Sequence, residues 1–160
     1  MAEEKREGPI YTGMIQYNDP TGISLFLPDD WHKSELQGDH KGVLFSPYPD
    51  DINTGILAEK YKLKVKVNLS DLPALREGFM GGIKALAGVE IESESEFLTD
   101  RLSFFEVRFT FLEGEIRRKR WIRNIYHSKS NYVLIAQGRT PEDFEYWLPM
   151  FYNIMMNASV

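Results

Sequence analysis

Between Leu102 and Leu112 the apolar residues Phe105, Val107, Phe109 and Phe111 fall at every second position, the period of a strand with one buried face. The same reading predicts strands over 11–17, 23–27, 43–45, 61–69, 89–97, 116–127 and 132–137. In the fourth of these, Tyr61, Leu63, Val65, Val67 and Leu69 share one face, and Lys62, Lys64, Lys66 and Asn68 the other. Residues 132–137 are apolar on both faces, as a central strand covered on both sides should be. Turn chemistry separates the strands: Asn18-Asp19-Pro20-Thr21-Gly22, Glu113-Gly114-Glu115 and the segment from Ser128 to Asn131. Tight turns between successive strands imply an antiparallel meander.

Two segments change period. After Ser70 or Asp71, either able to cap, Leu72, Leu75, Phe79, Ile83 and Leu86 recur at three- and four-residue spacings, with Pro73 in the first turn and Gly88 as the stop. Gly81 and Gly82 weaken the middle of this helix and read as close packing on the sheet. The second helix opens with Thr140 as cap and Pro141 in the first helical position. Phe144, Trp147, Leu148, Phe151, Ile154, Met155 and Ala158 form its apolar stripe, and Pro149 inside it predicts a kink. Two amphipathic helices with a meander predict an α+β fold, an α/β/α sandwich. Its mainly antiparallel sheet would have about 7–8 strands, with helices on both faces.

The chain has 160 residues, the size of one ordinary domain, and no internal linker. We read residues 1–9 as a charged tail and 10–160 as one domain. At 42% hydrophobic, 27% charged and 13% aromatic, the chain is neither disordered nor membrane-spanning in character. Its net charge of −5 argues against a general nucleic-acid binder. With no apolar run behind the charged start, the chain as written reads as cytosolic. A chain trimmed of a leader would look the same, and would be extracytoplasmic.

Candidate chemistry is sparse. Cys is absent, which excludes thiol catalysis, disulfides and Cys-ligated metal. His32, His40 and His127 are scattered; Asp39-His40 could meet Asp50-Asp51, but no ligand spacing supports a metal site. No Gly-x-Ser-x-Gly elbow occurs, and Gly78, Gly81 and Gly82 lie in a helix rather than a phosphate loop. The reading is no cofactor, no metal and no enzyme.

Two charge blocks remain. Glu90, Glu92, Glu94, Glu96 and Asp100 give a strand face of one sign. Arg117, Arg118, Lys119, Arg120 and Arg123 surround Trp121, and these six are the candidate surface for a protein partner with an acidic face. Strand alternation puts Arg118 and Arg120 on one side, and Arg117, Lys119, Trp121 and Arg123 on the other. The simpler reading is two solvated faces that discourage edge pairing.

Three segments carry a family resemblance: the opening from Tyr17 through Pro20, Gly22 and Pro28 to Trp31; the helix introduced by Asn68-Leu69-Ser70-Asp71-Leu72; and the closing helix from Thr140 to Phe151. Together they resemble the PsbP-like proteins over roughly residues 10–158. That group includes the extrinsic PsbP subunits of photosystem II, the Mog-type Ran-binding import factor and many bacterial proteins. The resemblance implies an α-β-α sandwich and a non-catalytic binding or assembly role. It transfers no photosystem-binding or Ran-binding residues. Many bacterial members carry an export or lipoprotein leader, and this chain departs from them there. The alternative role is a small-ligand or lipid-binding domain with a pocket between helix and sheet.

Overall fold

The computed structural model describes residues 8–9, 13–35 and 41–160. Most of the expected charged tail, the start of the expected first strand, Asp39 and His40 lie outside the described residues.

Seven antiparallel strands form one sheet in the order β3 (His32–Glu35), β4 (Lys41–Ser46), β5 (Gly55–Lys62), β9 (Ser130–Gly138), β8 (Ile116–His127), β7 (Leu102–Glu113), β6 (Glu90–Leu98). A separate hairpin pairs β1 (Met14–Asn18) with β2 (Ser24–Pro28). The expected meander is present as β6 to β9, and β9 is the middle strand of the sheet. The hairpin turn is fixed by Asp19, whose carboxylate accepts from the Thr21 amide at 2.9 Å and the Tyr17 hydroxyl at 2.7 Å. Gly22 supplies the positive φ of 101° that closes it.

Helix α1 (Leu72–Lys84) follows a short 3-10 turn over Leu69–Asp71, and helix α2 (Pro141–Asn157) ends the fold. In α2 the Thr140 hydroxyl accepts from the Asp143 amide at 3.2 Å, and the helix continues through Pro149. One side of the sheet is closed by α2 and the hairpin. Ile23, Leu25 and Leu27 of the hairpin share a core with Phe144, Phe151 and Ile154 of α2 and with Val43, Ile56 and Leu134 of the sheet. The other side carries a smaller core, in which Met80 and Ile83 of α1 meet Val107, Phe109, Phe111 and Ile122. The architecture is α+β with a helix on each face of the sheet.

Three expectations differ from the structure, and one strand has no counterpart among them. The strand expected over 61–69 is instead β5, over Gly55–Lys62. The last rung of its pairing with β9 is Lys62 with Ser130, after which β9 ends in the hairpin to β8. Leu63 still donates to the Lys129 carbonyl at 2.8 Å, but beyond it the described residues offer no strand to pair with, and Val65 is 71% exposed. Alternation without a neighbour does not make a strand. Conversely β3 is wholly exposed and has no apolar pattern; pairing with β4 alone defines it.

The glycines of α1 do not permit a close approach. A Cβ at Gly78, Gly81 or Gly82 would meet nothing within 4 Å. They lie on the solvent side of the helix, away from Met80 and Ile83.

The glutamates of β6 do not share one face. A bulge between Ile91 and Ser93 interrupts the alternation. Glu92 then reaches Lys119 on the α2 side, at 2.7 Å, while Glu94 and Glu96 meet Arg76 of α1 on the other, at 3.0 and 3.7 Å.

Candidate binding site on the open half of the sheet

Helix α1 has 13 residues, and its side chains reach mainly β6, β7 and β8. On that face β4, β5 and the near side of β9 have no helix over them among the described residues. The consequence is visible residue by residue. Val43, Ile56, Ala58, Leu134 and Ala136, which point to α2, are buried to 2% exposure or less. Their strand neighbours Leu44, Leu57 and Ile135, which point the other way, are only partly buried. They line an open cavity of about 400 Å³, together with Ile52 of the β4–β5 loop. That volume lies within the ~300–1,000 Å³ typical of small-molecule sites.

Polar groups enter this cavity at two places. At one end, Arg120 of β8, Gln137 of β9 and Gly55 of β5 form one cross-strand row. Arg120 Nε donates to Gln137 Oε1 at 2.6 Å, and Gln137 Nε2 donates to the Asn53 carbonyl at 2.7 Å. The guanidinium lies over the Phe111 ring at 4.4 Å. Burial pulls its pKa below the ordinary arginine value; Glu113 opposes the fall and Arg118 adds to it. Arg120 has no ion pair with a carboxylate among the described residues, and its terminal nitrogens have no hydrogen-bond acceptor there. Gly55 is required in this row: a Cβ there would stand 2.2 Å from the Phe45 carbonyl oxygen. At the other end of the cavity Glu59 accepts from the Tyr61 hydroxyl.

The remaining residues of the basic block have internal roles. Alternation along β8 divides them as the sequence implies. Arg118, 6% exposed, pairs with Glu113 at 3.0 Å. On the α2 side Lys119, also 6% exposed, donates to Glu145 at 2.6 Å and Glu92 at 2.7 Å. Arg123 pairs with Glu106 at 2.8 Å and caps the end of α2 through the Met155 carbonyl at 2.9 Å. Arg117 donates to the Gly88 carbonyl and the Thr110 hydroxyl, both at 3.0 Å. Trp121 has 0% exposure, with Arg108 over its ring at 4.1 Å. The six residues therefore do not form one exposed patch. Arg117, Arg118, Lys119 and Arg123 are satisfied by carboxylates, carbonyls and a hydroxyl from β6, β7, α2 and the segments flanking β6 and β9. Arg120 is the member that faces the open cavity.

The other candidates are also accounted for. His32 is exposed, and His127 Nδ1 lies 3.0 Å from the Arg101 carbonyl oxygen. Asp51 accepts from the Asn53 amide and from Arg139 at 3.3 Å. Among the described residues no three His, Cys, Asp or Glu side chains are grouped to hold a metal.

Leu44, Leu57, Ile135 and Gln137 were not singled out by the sequence. The available signal was β9 itself: a strand apolar on both faces needs two covers, and one short helix cannot span both halves of a seven-strand sheet.

No protein-family model matches the chain, and no curated protein matches it in sequence. Solved structures do match in shape. Cyanobacterial PsbP (CyanoP) from Synechocystis superposes with a TM-score of 0.65 at 11% identity, over 98% of this chain and 97% of that one. The fold is PsbP-like. LpqN of Mycobacterium tuberculosis, a protein involved in cell envelope biogenesis, matches with a TM-score of 0.56 at 16% identity, over 92% of this chain and 88% of that one. A Pseudomonas aeruginosa protein of unknown function matches at 0.54 and 12% identity, over 90% and 94%. The PsbP-like sandwich thus holds for nearly the whole chain at identities that speak only to the fold. Within this PsbP-like frame, no helix among the described residues is long and apolar enough to cross a membrane.

Proposed function

We propose that this chain is a non-enzymatic binding module that works through the open half of its sheet. The observation carrying the reading is Arg120: a partly buried guanidinium, without a carboxylate partner among the described residues, at the edge of an apolar cavity of about 400 Å³. Partial burial makes a charge favour a counter-charge, so a surface that leaves a half-buried guanidinium without an ion pair beside Leu57 and Ile135 is suited to receive an anionic group with apolar surface attached. The shape matches support a binding role by analogy of fold, since they include a cyanobacterial PsbP protein and a protein involved in cell envelope biogenesis. A protein partner would fit the same surface by presenting an acidic side chain to Arg120.

The test is affinity capture from native lysate, with both proteins and extracted small molecules identified by mass spectrometry. Leu57→Arg fills the open face without touching the α2 core. Its captured set should lose at least one species that the wild type holds, while the circular dichroism spectrum and melting point stay close to wild type. Identical sets from the two proteins would refute the open face as the working surface.

A further inference from the structure

The charges at the two ends of the cavity restrict what fits between them. Arg120 lies in the same cross-strand row as Gly55, and Glu59 is four residues further along β5. At ~3.3 Å per strand residue, the two ends are roughly 13 Å apart along the strand direction. The side chains between them on this face, Leu57 and Ile135, are apolar and partly exposed. One end therefore offers a planar, fork-shaped cation, the middle offers hydrocarbon, and the far end offers a carboxylate already engaged by the Tyr61 hydroxyl. A guanidinium of this kind binds a carboxylate through two parallel N–H bonds, and its free terminal nitrogens are the donors that geometry uses. Gln137 holds Nε, and the Phe111 ring supports one guanidinium face, so the fork is oriented before anything binds. Glu59 disfavours the reverse orientation, with the anionic group at its end.

Resting on the reading of the open face as the working surface, we infer that this cavity is a site for a medium-chain monocarboxylate, its carboxylate on Arg120 and its hydrocarbon chain along Leu57 and Ile135. The ligand is a free amphipathic acid in solution rather than a bilayer lipid. A cavity of about 400 Å³ on a sheet face admits one small molecule.

The probes are octanoate, octan-1-ol and octylammonium, each below its aggregation concentration and titrated into the full chain. Amide and Arg120 Nε–H shifts in nitrogen-edited NMR spectra report the site. Octanoate should move Leu57, Ile135, Gln137 and Arg120 with saturating behaviour, and bind at least tenfold more tightly than octan-1-ol, the scale of one charge-assisted hydrogen-bond pair. Octylammonium, whose head group is complementary to Glu59 and not to a guanidinium, should leave the Arg120 Nε–H and Gln137 signals unmoved. Arg120→Met should abolish the preference for octanoate over octan-1-ol, and Arg120→Lys should keep part of it, which guards against a folding defect in the methionine variant. Octanoate no tighter than octan-1-ol, shifts elsewhere, or no saturation would overturn the inference. So would co-sedimentation of the chain with phosphatidylglycerol vesicles in the absence of an octanoate response. Failure here leaves the lysate comparison with Leu57→Arg to decide the broader reading separately.

Discussion

Lys119 Nζ and Glu92 Oε2 lie 2.7 Å apart although a whole strand, β7, separates their backbones. Glu92 lies at the β6 bulge, which leaves it on the α2 side of the sheet while Glu94 and Glu96 meet α1. There Lys119 also holds Glu145 of α2, so one nearly buried ammonium ties a sheet edge to a helix. The two carboxylates are far more exposed than the lysine, with side-chain exposures of 46% and 55% against 8%.

That asymmetry predicts an asymmetric response to substitution. Lys119→Met removes the buried charge and leaves two carboxylates that water can resolvate, so its cost should be small, within about 1 kcal/mol. Glu92→Gln combined with Glu145→Gln leaves the buried ammonium without a counter-charge, and should cost about 3 kcal/mol, the low end for breaking a buried pair. Urea melts of the two variants compare them directly. Equal losses would mean that Lys119 is solvated in solution.

Stability should fall steeply in alkali. The Tyr61 phenol is pushed up to about 12, first by its hydrogen bond to Glu59 and then by burial. Tyr126 is raised mainly by burial. Burial alone would lower Lys119, but its bonds to Glu145 and Glu92 raise it overall. Each group holds its proton more tightly folded than unfolded. Their contribution is therefore complete below the unfolded values near pH 10 and is lost as pH rises through the folded ones. Melting points between pH 8 and 12 should drop from about pH 10 upward. Tyr61→Phe should flatten the drop. A flat profile in the wild type would contradict the Glu59–Tyr61 bond.

Gly78, Gly81 and Gly82 have open space where a Cβ would stand, and all three lie within α1. Alanine at each should raise stability by roughly 0.5–1 kcal/mol, through helix propensity and a less flexible unfolded chain. Thermal denaturation of the three single variants tests this. A loss at any of them would show that the face is packed in solution.

Trp147 joins α2 to the loop after β4. Its Nε1 donates to the Tyr48 hydroxyl at 3.1 Å, and its ring meets Trp31 and Tyr48 edge-on at 5.8 and 5.9 Å. Because it is only partly buried, Trp147→Ala should cost about 3 kcal/mol, the lower end for a large aromatic. Tyr48→Phe, which keeps the ring and removes the acceptor, should cost about 1 kcal/mol. Denaturant midpoints below a 1 kcal/mol loss for Trp147→Ala would place this contact outside the cooperative core.

Features that depend on local period and local chemistry are legible along the chain. The alternation of Phe105, Val107, Phe109 and Phe111 fixes β7, Thr140 and Pro141 start α2, and the two-sided apolar run of β9 makes it central. The split of the basic block between two faces also follows from the period of two. Features that depend on a neighbour are set by packing and pairing between distant segments. The alternation past Lys62 makes no strand because β9 ends at Ser130, while the polar segment of β3 makes one because β4 lies beside it. The bulge that sends Glu92 to Lys119, and Glu94 and Glu96 to Arg76, has no local signature. The open half of the sheet is the furthest from the sequence, because it is set by how far a 13-residue helix reaches across strands adjacent only in space. Periodicity states which side chains share a face; burial and pairing are properties of what packs against that face, and for Arg120 no carboxylate among the described residues comes within ion-pair distance.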